Sequence, residues 1–505
     1  MLIRGLSRLI VIVGPLLILG YIVFVYVDGH SKLEQTVDWH RGFKSHNENA
    51  PSSMNNDHKP TQDESLPAIH DADNRDNDAP TLPSLPTQEP LPSPASPKPE
   101  SGTNGAIHLD PKLYREVFSL TTADKKYFKV DFGIDFPGMN PNIIPHPRED
   151  DKWIIVASKV ETDRAKDFKP LFEEIACSAA FQKDGTLACV TAPSILPVQP
   201  TQSDNCKDDI AHYNLSIGPH DMRILYGPDA PFAIFGSQSH YACFGLWAQD
   251  FRTLVPEAFA LDAPNIEFLK EGTEIQRPPP WGPIEKNWFF FWDAQGQVYA
   301  HHDTVPKRVF AQMAPDGSVG PDLAPLAGTD EKCMGKYMPK VTASAVEAHE
   351  ESLHQATNSL AITLCKRSDP LCTPTDENTF IMQIFQHKRV YNFHPVYEPY
   401  VMLFQRTAPF AVHAISTKPI WIHGRGLMAE DADATKWRSD EEDLIKMHSE
   451  MFYVTSMSWK KHGLRYHGHI DDPLFLAFGI EDVRSAAIDV LAGDLLLDLG
   501  LCKDV

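Results

Sequence analysis

The sequence predicts an all-β domain of closed or radial architecture at residues 109–505, behind a transmembrane helix and a disordered stalk. Three observations carry this: an uncharged run near the N-terminus, a proline-rich polar segment, and a long succession of short apolar runs broken by turns. The chain has 505 residues, with 46 Lys+Arg against 68 Asp+Glu, a formal net charge of −22. That length can bury a large core, and 42% hydrophobic residues exclude a wholly disordered chain. The acidic excess argues against broad binding to nucleic acid or anionic lipid, which needs basic surfaces.

Residues 1–8 contain Arg4 and Arg8 and read as a cytosolic tail. The run 9–27 is uncharged and rises about 28 Å as a helix, enough to cross a bilayer core. Positive charge precedes it and Asp28 follows, which places the N-terminus in the cytosol and makes a type II signal anchor. A cleaved signal peptide is the alternative, although no Ala-x-Ala-like site follows the run. Residues 28–108 form the stalk: eight of the 20 positions from Pro80 to Pro99 are proline, and the segment carries a net charge of −7. Such a composition buries too little apolar area to offset the entropy of ordering. The domain at 109–505 therefore holds −17 of the charge. Golgi-resident glycosyltransferases share this layout, and so do membrane-tethered receptors. The expected location is the Golgi or endoplasmic reticulum, with the domain lumenal.

All eight cysteines lie beyond the stalk, as expected of disulfides in an oxidising lumen. Cys177 and Cys189 flank a turn at Lys183-Asp184-Gly185, and Cys365 and Cys372 flank a short polar loop, so these are the expected pairs. Asn214-Leu215-Ser216 is a glycosylation sequon.

From about residue 127 the apolar runs are rich in Val, Ile, Phe, Tyr and Trp, as in Trp153–Ala157, Phe232–Phe235, Trp288–Trp292, Tyr400–Phe404 and Leu474–Phe478. Gly227-Pro228-Asp229 and Asp293-Ala294-Gln295-Gly296 read as hairpin turns. Helical periodicity is confined to Asp440–Met451 and Ala343–Ser359. There is no alternation of strands with long helices and no glycine-rich phosphate loop, which excludes the nucleotide-binding α/β folds. A propeller fits best.

Polar clusters recur at gaps of about 60 to 110 residues, room for one four-stranded blade each. They are Met139-Asn140-Pro141-Asn142, His220-Asp221-Met222-Arg223, Glu285-Lys286-Asn287-Trp288, His394-Pro395-Val396-Tyr397-Glu398 and Gly479-Ile480-Glu481-Asp482. In order and spacing they resemble the five-bladed β-propeller superfamily of β-mannoside phosphorylases and related β-mannosyltransferases, over about residues 135–492. Asn140-Pro141 matches the first-blade motif, and His220-Asp221-Met222-Arg223 is a degenerate match to an acid-Asp-Pro-Arg motif. Lys286-Asn287-Trp288 matches the third-blade motif, and Phe478-Gly479-Ile480-Glu481-Asp482 matches the last. The resemblance implies a five-bladed propeller, a mannoside substrate and a phosphate facing Lys286. It departs at Phe235–His240, where the phosphorylases carry a catalytic Asp and this chain has no carboxylate.

Sugar transfer through an oxocarbenium-like state requires carboxylates near the anomeric carbon and cations near phosphate. Asp482, Glu398 and Asp471 are the candidate catalytic carboxylates; Asn140, Asp221, Arg223, Lys286, Asn287 and Trp288 are the candidate substrate-binding residues. Each has a structural alternative: an Asp221–Arg223 ion pair, a surface Lys286 beside a core Trp288, a turn at Asp482 or Asp471. His467-x-His469-x-Asp471 and Asp431-Ala432-Asp433 have metal-ligand spacing, but neither is singled out as a metal site, and no cofactor is implied. His301-His302-Asp303 follows the Lys286 hairpin with no fixed facing. The expected activity is a lumenal glycosyltransferase passing mannose from a sugar-phosphate or nucleotide-sugar donor to a glycan acceptor. Two alternatives stay open: a β-mannoside phosphorylase or hydrolase, and a non-catalytic propeller that binds glycans or partners.

Overall fold

The computed structural model describes residues 109–505 apart from 135, 162–170, 260–266, 348–349, 392–393 and 427–448. The tail, span and stalk expected at 1–108 lie outside these residues, as do Asp431-Ala432-Asp433 and most of the helix expected at 440–451. Among the described residues no helix is long and apolar enough to cross a membrane.

Most of the described strands fall into five largely antiparallel sheets, beside a parallel pair of Arg115–Val117 with Ile420–Ile422. Sheet I contains Met139–Pro145, Trp153–Glu161, Leu171–Phe181 and Leu187–Cys189. Sheet II contains His220–Tyr226, Pro231–Gln238, Phe244–Asp250 and Thr273–Glu274. Sheet III contains Phe289–Trp292, Val298–Asp303 and Val309–Gln312. In sheet IV both Glu351–Gln355 and Leu360–Thr363 pair with Thr379–Tyr391, followed by His394–Gln405, Val412–Ser416 and Leu499–Leu501. Sheet V contains Phe452–Trp459, Pro473–Ile480 and Arg484–Leu491. Its last strand is Phe128–Asp131, from the start of the domain: Phe128 stands opposite Ala487, and Val130 runs parallel beside Leu187 of sheet I.

The apolar cores follow the same circuit. One lies between sheets I and II, around Ile154, Ile224 and Phe235. A second joins II, III and IV around Ile234, Phe291 and Ile381. A third lies between IV and V around Leu403, Trp459 and Leu476. The fourth returns from V to I, around Phe475, Ile155 and Phe128. Each sheet buries both faces, so its strands read as continuous apolar runs such as Phe289-Phe290-Phe291-Trp292 rather than as alternation. The domain is mostly β with few helices, and its near-closed circuit is consistent with a propeller.

The first strands of sheets I, II, III and V are edges whose backbone groups need partners. Polar side chains from neighbouring sheets supply them. Asn142 donates to Met222 O (2.7 Å) and accepts from Ile224 N (3.2 Å), linking I to II. Ser359 Oγ donates to Phe290 O (2.6 Å), and Asn358 both donates to Met457 O (3.0 Å) and accepts from Met457 N (2.9 Å). Thr455 Oγ1 donates to Pro141 O (2.5 Å), linking V back to I. Asn142→Ala leaves a buried carbonyl and a buried N–H unpaired, and is expected to cost about 2–3 kcal/mol in denaturant unfolding. A loss below ~0.5 kcal/mol would show that these links are dispensable.

Both expected disulfides are present, Cys177–Cys189 and Cys365–Cys372, and Cys206–Cys243 and Cys333–Cys502 join them. The helix expected over Ala343–Ser359 is a correction. Among its described residues only Ala343–Glu347 is helical, because Glu351–Gln355 is taken up as a strand against Phe385–Arg389. A helix the periodicity did not reveal, Asp330–Tyr337, places Asp330 against Arg308.

Candidate functional site

Asn140, Asp221 and Asn287 stand at the heads of the first strands of sheets I, II and III, and all three have positive φ (54°, 49° and 61°). Asn and Asp tolerate this region better than other side-chain residues. The register shifts between Met139 and Asn142 and between His220 and Arg223, so the strand edge bulges there and re-aims the polar side chain. Gly479 makes room for the first of them: a Cβ there would lie 2.5 Å from Asn140 Oδ1.

The three heads converge. Asn140 Nδ2 donates to Asp221 Oδ1 at 2.9 Å. Arg223 Nη1 donates to Asp221 O (3.0 Å) and its Nε to Ala356 O (3.4 Å), while its guanidinium lies 6.0 Å from the centre of the Tyr453 ring. Tyr453 OH is 3.5 Å from Asn287 Oδ1. Lys286 Nζ sits 5.5 Å and 5.8 Å from the ring centres of Phe244 and Tyr213. Its charge acts on Asp221, His220, His354 and Lys388. Asp482, in the turn after Pro473–Ile480, acts on Lys388, Tyr397 and Tyr453. Six of the nine candidate residues thus share one neighbourhood: Asn140, Asp221, Arg223, Lys286, Asn287 and Asp482.

Its electrostatics favour an anion beside a carboxylate. Asp221 is exposed at the strand head, so water reaches it although protein surrounds it. Burial alone would raise its pKa, but Arg223, Lys286 and His220, with the Asn140 hydrogen bond, hold it below the usual value. Burial lowers His220 to about 4 against the pull of Asp221, with Lys286 adding to the fall. His354 falls to about 4 through burial, Lys388 and Lys286. Burial also lowers Lys388, opposed by Asp482 and reinforced by Lys286. The cations are crowded, and a bound anion would relieve them.

Sequence reasoning missed three participants. Lys388 and His354 lie on paired strands of sheet IV, and the only signal was the polar end of Thr379–Tyr391 at His387-Lys388-Arg389. Glu174 gave no signal, being one of two adjacent acids within Leu171–Phe181. It is 1% exposed beneath Asp221; its Oε1 accepts from Ser158 Oγ (2.8 Å) and Met222 N (3.1 Å). Its Oε2 is buried with no partner among the described residues.

Three candidates stand elsewhere. Glu398 is next to Tyr397 on its strand and so faces the other side of sheet IV, where Tyr114 OH donates to it at 3.1 Å. Asp471 caps a loop: it accepts from Arg367 N (2.6 Å) and from Ser368 N and Oγ, near the far end of sheet IV's first strand. Trp288 is 3% exposed in the core of sheets II–IV, its ring 4.6 Å from His302. His301 is bonded to Gln355, His302 to Gln276 O and Asp303 to Arg277, so that triplet is structural. His467 Nε2 is bonded to Thr363 Oγ1 at 2.7 Å. Among the described residues no group of three or more His, Cys, Asp or Glu is placed to hold a metal ion. The sequon side chain of Asn214 turns inward, its Nδ2 donating to Cys206 O at 2.7 Å. A cavity of about 330 Å³ between Trp292, Arg406, Arg465 and His467 lies at the opposite strand ends and includes none of the converging residues.

No protein-family model matches the sequence, and no curated protein matches it. Among solved structures, the β-1,2-mannobiose phosphorylase of Listeria innocua is 11% identical, covering 75% of this chain and 96% of its own, at a TM-score of 0.38. A GDP-Man-dependent mannosyltransferase of Leishmania mexicana is 9% identical, with 72% and 89% coverage and a TM-score of 0.34. An α-L-arabinofuranosidase of Lactobacillus brevis is 11% identical, with 70% and 90% coverage and a TM-score of 0.31. Likeness at this level leaves the activity to be argued from the chain's own residues.

Proposed function

We propose that this protein is a glycosyltransferase on a five-bladed propeller, moving mannose from a phosphorylated donor to a glycan acceptor. The observation that carries the reading is the convergence of Arg223, Lys286 and Lys388 with Asp221 and Asp482 from four sheets. In this reading the cations hold the donor phosphate, Arg223 through its bidentate fork and the lysines as point charges. Asp482 and Asp221 stabilise the oxocarbenium-like centre or orient the sugar hydroxyls. Phosphate leaves without needing a strong general acid, and the stretch Phe235–His240 supplies none. Glu274, the acid packed there, already accepts from Ser239 Oγ and from His240 N and Nδ1. This favours transfer over phosphorolysis. The choice of mannose rests on the motif resemblance, and the secretory-pathway location on residues 9–27 as a type II anchor.

The full-length protein incubated with GDP-mannose and a mannan acceptor should lengthen the acceptor, whereas lengthening from mannose 1-phosphate alone would be phosphorolysis run in reverse. No product with GDP-mannose refutes the transferase reading. Release of mannose 1-phosphate from β-mannosides in inorganic phosphate would establish the phosphorylase instead.

A further inference from the structure

The loop between the second and third strands of sheet II carries Tyr241, and the segment leading into sheet III carries Trp281. Their rings stack at 5.1 Å between centroids, 18° from parallel. Trp281 covers one face of the phenol, and Tyr241 remains 51% exposed. Both loops are pinned. Ser239 Oγ accepts from Tyr241 N and Ala242 N, Cys243 is joined to Cys206, and Cys243 N donates to Pro283 O. The pair is therefore a fixed platform rather than two mobile side chains.

It lies at the same end of the sheets as the converging residues. His220 stands opposite Gly236, so the Tyr241 loop rises beside the Asp221 head. Phe244, three residues beyond Tyr241, holds Lys286 Nζ at 5.5 Å, and Lys286 is five residues beyond Trp281. Beside the platform, Arg277 is paired with Glu285 at 2.8 Å and with Asp303, and the His240 ring is hydrogen-bonded to Glu274 at 2.6 Å. The two stacked rings themselves carry no charge, and a peptide or lipid surface would need a wider apolar patch than two rings. A neutral ring with an apolar C–H face and hydroxyls at its edge suits both features.

We propose that Tyr241 and Trp281 form a pyranose-stacking subsite for the acceptor glycan at the rim of the donor site. This rests on the transfer reading for the word acceptor, but not for the stacking itself. The test is calorimetric titration of the full-length protein with a mannotetraose and, separately, with inorganic phosphate. Tyr241→Ala and Trp281→Ala should each weaken the oligosaccharide about tenfold and leave phosphate affinity unchanged, while Tyr241→Phe restores wild-type binding. Melting temperature is measured for each variant, and the solvent-exposed Tyr241→Ala carries the test if Trp281→Ala is unstable. Equal oligosaccharide affinity in wild type and Tyr241→Ala, or none in the wild type, overturns the proposal. Platform-dependent oligosaccharide binding without any phosphate binding would support the platform while refuting the phosphorylated-donor reading.

Discussion

Replacing Arg223 by Met is expected to lower transfer from a phosphorylated donor by about 100- to 1,000-fold, the usual cost of losing one preorganised charge-stabilising donor. Arg223 is anchored by Asp221 O and Ala356 O, so its guanidinium is held where a diphosphate or phosphate oxygen can meet it. Arg223→Lys keeps the charge but not the fork and should recover part of the rate. Lys286→Met removes a second cation while leaving the Asp221–Arg223 bond intact, and should raise KM for the donor. Initial rates over a donor series separate the two. A Met variant that keeps half or more of the wild-type rate would remove Arg223 from the site.

Glu174→Gln is expected to change how stability depends on pH. Burial raises the Glu174 carboxyl to about 8, outweighing the Ser158 and Met222 hydrogen bonds; the Asp221 charge adds to the rise and Arg223 opposes it. Because the folded value lies above the unfolded one, the proton favours the folded state. That contribution is complete below about pH 4.5, declines as pH rises, and is gone above about pH 8. The full shift corresponds to a contribution on the order of 5 kcal/mol. Glutamine keeps the oxygen that accepts from Ser158 and Met222 but cannot ionise. The variant should therefore match wild type near pH 4.5 and exceed it at pH 8, as read by denaturant unfolding across that range. Parallel curves for the two proteins would show that Glu174 does not carry this proton. Since Met222 N–H follows Asp221 directly, the same bond holds the Asp221 head in place.

The polar clusters at Asn140, Asp221, Lys286-Asn287 and Asp482 were legible because each interrupts an apolar run at a strand head or turn. Lys388 and His354 were not, because their meaning depends on which strands of sheet IV lie beside Asp482 and Lys286. Glu398 shows the opposite failure. It sits in a cluster like the others, yet strand alternation turns it to Tyr114 while its neighbour Tyr397 faces the site. Asp471 likewise has the right residue type, and its oxygens are spent on closing the loop at Arg367 and Ser368. The 343–359 segment read as helical by its own periodicity, but pairing with Phe385–Arg389 overrode that local preference for most of its length.

The sequence by itself determined the all-β class, the strand runs, two disulfides and the polar heads of three sheets. These follow from local chemistry: apolar periodicity, turn residues, and the tolerance of Asn and Asp for positive φ. Tertiary structure alone decided which carboxylates meet which cations. That depends on sheet order and strand facing, set by packing between residues more than 80 positions apart, as in the Asn140–Asp221 bond. It also decided that Glu174 is buried beneath Asp221, since the burial of a single acid in a strand is a property of its neighbours.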